Sequence, residues 1–350
     1  MKLDWRGAIG ILLSAALLVW TLRGVPLADV WRELRASNVP LFAASALCAT
    51  LIFPLRAIRW RVILDPIAPG LKLGLLWRAT AIGMMVNNVV PARAGEIARA
   101  FALTRETARV GFTAAFASIA VDRIFDAVVL LLLLFLAMLD PAFPGGAEVG
   151  GRPVAQWAAG WGTVALLGVL AAFYALALFP QRIVALFELV ARRVAPAIEA
   201  RGRETILTFA SGLGVLRSPR RFALVFVWTV AHWLLNAFAF WLGFRAVGIT
   251  APFSAALFLQ GLIAIGVAVP SAPGFFGVFE ALAKTGLHGV YGVPETLAVS
   301  WAIGFHLLSF IPITVIGAFY FARLGMRLRD VEAVDVEGGP KAGAAPPSAA

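Results

Sequence analysis

Asp122, Arg123 and Asp126 are the charged residues of an otherwise apolar run from Phe112 to Leu139. Two carboxylates four residues apart share one face of a helix, and Arg123 can meet Asp126 at i,i+3. The uncharged stretch from Ala127 to Leu139 is 13 residues long, too short to cross a hydrocarbon core of about 30 Å alone. The charges therefore lie within a membrane or at its inner boundary. A single central charge there costs roughly 2.5–3.5 kcal/mol even on insertion scales, so three together require partners or water. One reading is an internal ion-pair cluster that ties helices together; the other is an ionic ligand site. Both turn these side chains away from lipid.

A second kind of chemistry comes from two interrupted apolar segments. Val89-Val90-Pro91-Ala92-Arg93-Ala94-Gly95-Glu96 and Val269-Pro270-Ser271-Ala272-Pro273-Gly274 each place a glycine four residues after a proline. Proline removes a backbone donor and stops or kinks a helix. Broken backbone at membrane depth survives only where protein or water satisfies the freed groups. Paired interruptions in two halves of a chain point to a transporter's binding site. The first break supplies Asn87, Asn88, Arg93, Glu96 and Arg99, and the start of its second helix offers unpaired backbone amides suited to an anion. Arg93 beside that helix start is placed to clamp a phosphate with its planar fork. Glu96 is either a dipole partner or an ion pair for Arg93 or Arg99, and Arg99 and Arg105 read as arginines snorkelling to headgroups. The second break carries Gly274 and, further on, Glu280, a buried carboxylate read as pairing with an arginine, with proton coupling as the alternative. Arg56, Arg59 and Arg61 surround Trp60 at the end of a span, where anchoring is the default role for Arg56 and Arg61. His232 and Asn236 share a helix face suited to interhelical hydrogen bonds.

The elements that must position these residues are membrane helices. The 350 residues are 61% hydrophobic and 14% charged, and the mean hydropathy is +0.88; such values describe a polytopic membrane protein. The formal net charge of +11 comes largely from arginines beside apolar segments, where anionic headgroups and not nucleic acid are the expected partner. Cys48, the single cysteine, excludes an intrachain disulfide. The amino terminus resembles a signal peptide but lacks a convincing cleavage site, and reads as an uncleaved first helix. The three histidines are scattered without metal-ligand spacing, no common catalytic signature is present, and no metal or cofactor is expected.

Apolar runs predict six full spans, at 7–22, 39–58, 112–139, 157–179, 222–244 and 295–322, plus two re-entrant helix–break–helix elements at about 75–103 and 253–290. The fold class is thus an all-α polytopic membrane protein, one integral domain over residues 1–330. Arginines concentrated in 180–221 and just past the last span place both termini in the cytoplasm, with the arginines of loop 23–38 as the local objection. The two breaks then enter from opposite faces, as in an inverted-topology repeat. Segment 181–217 reads as an interfacial amphipathic hairpin and 331–350 as a disordered cytoplasmic tail.

Taken in order, Arg59-Trp60, Asn88-x-x-Pro91-x-Arg93-x-Gly95-Glu96, Asp122-Arg123-x-x-Asp126 and Pro270-x-x-Pro273-Gly274-x-x-Gly277-x-x-Glu280 resemble a flippase-like bacterial and archaeal membrane family. That family is typified by the transmembrane region of lysylphosphatidylglycerol synthases. The resemblance implies a lipid flippase or lipid-handling module of the bacterial inner membrane, with no cofactor. It implies no aminoacyl-transferase activity, since the sequence given stops soon after the last span. On this reading Arg93, helped by Arg59 and Arg123, binds an anionic lipid headgroup. Asp122, Asp126, Glu96 and Glu280 hold the arginines, while Asn88 and Gly274 line the breaks. Two alternatives stay open. One is a membrane enzyme using Asp122 or Glu280 as acid/base on a lipid-linked substrate; the other is a non-transporting partner of a separate lipid-modifying enzyme.

Overall fold

The computed structural model describes residues 5–90, 94–144, 178–194, 218–267 and 272–327, with scattered positions between 146 and 207 and short pieces at 334–335 and 339–340. Among the described residues the chain forms eleven α-helices. They are α1 (Trp5–Leu22), α2 (Leu27–Ala36), α3 (Val39–Leu64), α4 (Leu73–Val89), α5 (Gly95–Glu106), α6 (Phe112–Met138), α7 (Pro180–Val194), α8 (Pro219–Ala246), α9 (Phe253–Gly266), α10 (Val278–Lys284) and α11 (Glu295–Arg323). α3, α8 and α11 are each long and apolar enough to cross a membrane. α1 and α2, bent by 78° at their junction, make a fourth candidate. α6 has the length as well, with 27 residues, and differs by the three charges it carries.

Both breaks are present where proline and glycine put them, and both turn the chain back on itself. α4 and α5 run antiparallel. The Asn87 Oδ1 atom accepts the Gly95 N–H at 2.8 Å, and Arg78 pairs with Glu106 at the far end. Between these points the backbones almost touch: a methyl group at Gly95 would lie 2.1 Å from the Gly83 carbonyl oxygen. The second element repeats the arrangement. α9 packs against α10 and the π-turn after it, with Gly266 against Leu282 and Gly286 against Leu259. At about 1.5 Å per residue, arms of 17, 12 and 14 residues all fall short of the hydrocarbon core.

Each hairpin sits between two long helices, α3 and α6 for the first and α8 and α11 for the second. α3 and α8 lie antiparallel, joined by Ser45 Oγ donating to the Ala239 carbonyl at 2.6 Å and by Arg59 reaching Thr229 at 3.1 Å. The hairpins then pack across the halves. α4 lies on α11, where Gly317 meets Ala81 and Met85 and Asn88 donates to Thr314 at 2.6 Å. α9 lies on α6, where Gly261 meets Leu134. The hydrophobic core divides accordingly into one cluster around α4 and α5 and a second around α9 and α10, with α3 and α8 contributing to both.

Two expectations change. The loop at 23–38 contains α2, a short amphipathic helix that buries Val30 against Val25 and Val299 and uses Arg32 and Arg35 locally, on Asp29 and Trp31. α3 runs on to Leu64, past the expected end at 58, because its last turns bury Arg56, Arg59 and Trp60 instead of presenting them to headgroups. Arg61 does stay exposed. The span expected at 157–179 and the tail from 331 fall largely outside the described residues. Of segment 181–217 the structure describes α7 and two ion pairs, Arg192–Glu199 and Arg203–Glu188, that bring the chain back beside it.

The close approach at Gly95 gives a test of the first hairpin. Gly95→Ala forces the α4–α5 backbones apart and should lower stability by about 1–3 kcal/mol, the usual cost of overpacking. Thermal unfolding of the detergent-purified protein reads it. Gly111→Ala, with an ordinary φ of −71° and nothing near the added carbon, should leave the midpoint unchanged.

Candidate functional site

The charges of α6 meet charges from α3 and α5. Arg56 and Arg59 stand one turn apart on α3, and Asp122 and Asp126 one turn apart on α6, so the two helices present matching faces. Arg59 pairs with both carboxylates, donating to Asp126 Oδ1 at 2.7 Å and lying 2.6 Å from Asp122 Oδ1. Arg56 stands back, 3.8 Å and 3.7 Å from the outer oxygens of the same two groups. Arg99, from α5, reaches Asp122 Oδ2 at 3.0 Å and lies over the Trp60 ring, 4.0 Å from its centroid. Trp60 is in turn fixed by donating to Ser118 at 2.8 Å. Arg59, Trp60 and Asp122 are completely buried. Such ions stay charged only because each has partners on several helices.

The cluster opens toward a cavity through Arg123 and Asp126. Arg123, 38% exposed, donates to Glu96 at 2.6 Å and lies 3.6 Å from Asp126. Trp233 of α8 donates to Asp126 at 2.9 Å. Four arginines (56, 59, 99 and 123) face three carboxylates (96, 122 and 126), an excess of one positive charge among the described residues. The cavity measures about 970 Å³ and lies between the two hairpins. Glu96, Arg123, Asp126, Trp233, Asn236 and Gln260 supply polar groups to its lining, with Asn88, His306 and Ser309 adding others, while residues such as Phe53, Leu130, Leu134, Ile263 and Phe310 make most of the remainder apolar. Asn236 donates to Gln260 at 3.0 Å, leaving the buried Gln260 Nε2 without a hydrogen-bond partner.

The tip of the second hairpin closes this cavity against the end of the first. Gly274 adopts φ +66° and lies so near Asn88 that an added carbon would sit 3.3 Å from the Asn88 carbonyl oxygen. Gly277, at φ +84°, leaves no room for a side chain beside the Ser14 carbonyl of α1. Glu280 Oε2 accepts the Gly277 N–H at 2.6 Å, and Glu280 Oε1 meets His306 of α11 at 2.6 Å.

Of the site residues named from sequence, Arg59, Glu96, Asp122, Arg123 and Asp126 converge in one ionic network, and Asn88, Gly274 and Glu280 gather at the hairpin tips. Arg93 lies outside the described residues. Three readings are corrected. Among the described residues Glu280 pairs with His306 and with no arginine, because its helix, α10, packs on α11 while α6 meets the α9 arm. Glu96 pairs with Arg123, and Arg99 pairs with Asp122 instead. Arg56 and Arg99 are buried cluster members instead of anchors, since α5 returns alongside α4 and carries Arg99 inward. Sequence gave no signal for His306, which is one of three scattered histidines. His232 is buried with neither ring nitrogen hydrogen-bonded, so the expected bond is made by Asn236 alone. No group of three metal-ligating side chains occurs among the described residues.

Helical hairpins set between long apolar helices, with an ionic centre and a cavity between the hairpins, define a polytopic α-helical membrane protein. The chain belongs to the family described as the lysylphosphatidylglycerol synthase TM region, whose model matches residues 7–317. Two UPF0104 membrane proteins of Methanothermobacter thermautotrophicus are similar over most of their length. One is 26% identical over 350 residues, covering 91% of this chain and 93% of the relative. The other is 24% identical over 324 residues, covering 84% and 87%. Glycosyltransferase AglD of Haloferax volcanii is 32% identical over 180 residues, which is 46% of this chain and only 29% of AglD.

The cluster's dependence on pairing is measurable. Asp122→Asn leaves Arg99 unpaired in a buried site and Arg59 with Asp126 alone, and should cost about 3–5 kcal/mol, read as a loss of monodisperse protein on size exclusion. Adding Arg99→Met should recover part of that loss, because the unpaired charge goes with it. Asp29→Asn, which breaks an exposed pair, should cost at most about 1 kcal/mol.

Proposed function

We propose that this protein is a lipid transporter or flippase that moves an anionic or lipid-linked headgroup across the membrane through the cavity between its hairpins. The observation that carries the reading is the cavity's composition: a mostly apolar lining into which the Glu96–Arg123–Asp126 edge of the ionic cluster opens, with the cluster's one excess positive charge among the described residues behind it. A phosphate-bearing headgroup fits the ionic edge and acyl or prenyl chains the apolar lining. About 970 Å³ is at the upper end of ordinary ligand cavities. Arg123 is the accessible cation, Arg93 is assigned as its companion, and Arg56, Arg59 and Arg99 supply the field behind them. Asp122, Asp126 and Glu96 hold the arginines in place and exchange partners as access alternates.

The packing of the hairpins supports an inverted repeat. α3, the first hairpin and α6 form one unit and α8, the second hairpin and α11 the other, with each hairpin packed on the other unit's last helix. Antiparallel α3 and α8 set the two units upside down relative to each other, which is the basis of alternating access in other folds. With 157–179 counted as a span, six full spans place both termini on the cytoplasmic side. The bacterial inner membrane is the proposed location, and residues 1–330 the single membrane domain.

A second reading has one specific observation in its favour. A relative is named as a glycosyltransferase, which favours a role on lipid-linked sugars, as an enzyme or as a non-transporting partner subunit.

Reconstitution into vesicles containing a fluorescent anionic phospholipid distinguishes them, with leaflet position read by a membrane-impermeant quencher. Arg123→Ala and Arg93→Ala should each slow translocation about 10- to 100-fold, the equivalent of one lost charge-assisted hydrogen bond. Protein yield should fall less than translocation. Wild-type rates in both variants would sink the assignment of these arginines, and no translocation by the wild-type protein would sink the transporter reading. Conversion of the lipid's mass by the purified protein would establish the enzymatic one.

A further inference from the structure

Both ring nitrogens of His306 face oxygen acceptors. Nδ1 is 2.6 Å from Glu280 Oε1, and Nε2 is 2.8 Å from the Gly274 carbonyl oxygen. A neutral imidazole has one N–H and one lone pair. Beside an ionised Glu280 it satisfies one contact and sets its lone pair against an oxygen in the other. Both contacts are satisfied only when the dyad carries one more proton. Either His306 is an imidazolium donating from both nitrogens, or Glu280 is the neutral acid donating to Nδ1 while Nε2–H donates to Gly274. The proton count is the same in both.

The surroundings make that proton matter. Glu280 is 2% and His306 6% exposed, and the imidazole lies against the Phe276 and Phe279 rings, each 4.5 Å away between centroids. Among the described residues, the charged and titratable groups on the elements packed around the dyad have other partners or stand off. On α10, Lys284 is tied to Glu295 and to the Thr21 carbonyl. α1 offers Ser14, α4 Asn88 and α9 Gln260, none of them charged. His232 of α8 lies beside Trp233, and across the cavity Glu96, Arg123 and Asp126 pair with one another.

The first half of the chain has the same device in a permanent form. Glu96 and Glu280 both stand in the first turn of a returning helix. Arg123 and His306 are each the twelfth residue of the long helix that follows. Arginine keeps its proton throughout the accessible pH range, whereas histidine is a side chain that can bind and release one.

We propose that Glu280 and His306 form a proton-binding site, and that the bound proton latches the tip of the second hairpin, through Gly274, against the first. Release passes the proton to water in the cavity and leaves a carboxylate beside a neutral imidazole. The remaining N–H stays on the charged acceptor, the stronger bond, so the Nε2 lone pair faces the Gly274 carbonyl and the tip is freed. If the cavity holds an anion, as the transporter reading has it, proton and anion favour each other's binding. That coupling rests on the transporter reading; the latch does not.

The test needs no substrate. In the full chain with Cys48→Ala and Ala272→Cys, labelling by an impermeant maleimide reports the tip's exposure from about pH 5 to 9, the range that brackets histidine. With the native dyad, labelling should rise about tenfold per pH unit below the midpoint, beyond the thiol's own trend, as release of one proton requires. E280Q supplies a permanent amide donor to Nδ1 while its oxygen keeps the Gly277 N–H, so its labelling should follow the thiol alone. Coincident profiles in the two proteins would overturn the latch. A second readout covers a poorly folding variant: ¹⁵N-histidine spectra of the wild-type chain, with His306 assigned by H306Q. A protonated Nε2 at low pH that becomes bare as pH rises supports the proposal, and an Nε2 bare at every pH refutes it.

Discussion

Asp122 and Asp126 cannot be solvated by lipid, and this constraint organises the first half of the protein. Each carboxylate must be met at hydrogen-bond distance by cations from elsewhere in the chain. Arg59 and Arg56 bring α3 to α6, Arg99 brings α5, and Thr229 and Trp233 bring α8. Four helices are thereby fixed at one point, and the hairpin of α4 and α5 has its depth set by the arginine it must deliver. Membrane helices lack a strong hydrophobic drive to associate, so a multi-helix ionic junction and close glycine contacts supply the specificity that apolar packing leaves open.

The same economy explains the second half without an ionic cluster. There the tip is fixed by backbone: Gly277 accepts the approach of α1, Gly274 takes a left-handed turn, and Glu280 and His306 hold the freed polar groups. The aromatic residues of α8, α10 and α11, Phe240, Phe279, Trp301 and Phe305, stack around this junction. The halves share a plan and differ in what holds each hairpin, arginine in one and histidine in the other.

Much of this was legible in the residues. Helix ends at 89 and 266 follow from proline and glycine chemistry, and the long helices follow from apolar length. The convergence of Asp122 and Asp126 on buried partners follows from the cost of an unpaired charge. Sequence was weakest where a residue's role depended on which neighbour it would find. Arg56 and Arg99 have the flanking pattern of headgroup anchors, yet they point inward. Glu280 looked like an arginine's partner and has a histidine.

What the sequence determined by itself was therefore the solvent of the fold, the interruptions and the need for buried ion pairing, because these depend on local backbone rules and on transfer energies. The tertiary structure decided the pairing itself. Whether Glu96 meets Arg123 and Glu280 meets His306 depends on antiparallel hairpins packing against the last helix of each unit, a relation between segments some 26 to 27 residues apart in sequence. Only that packing turns the two breaks into the facing walls of one cavity.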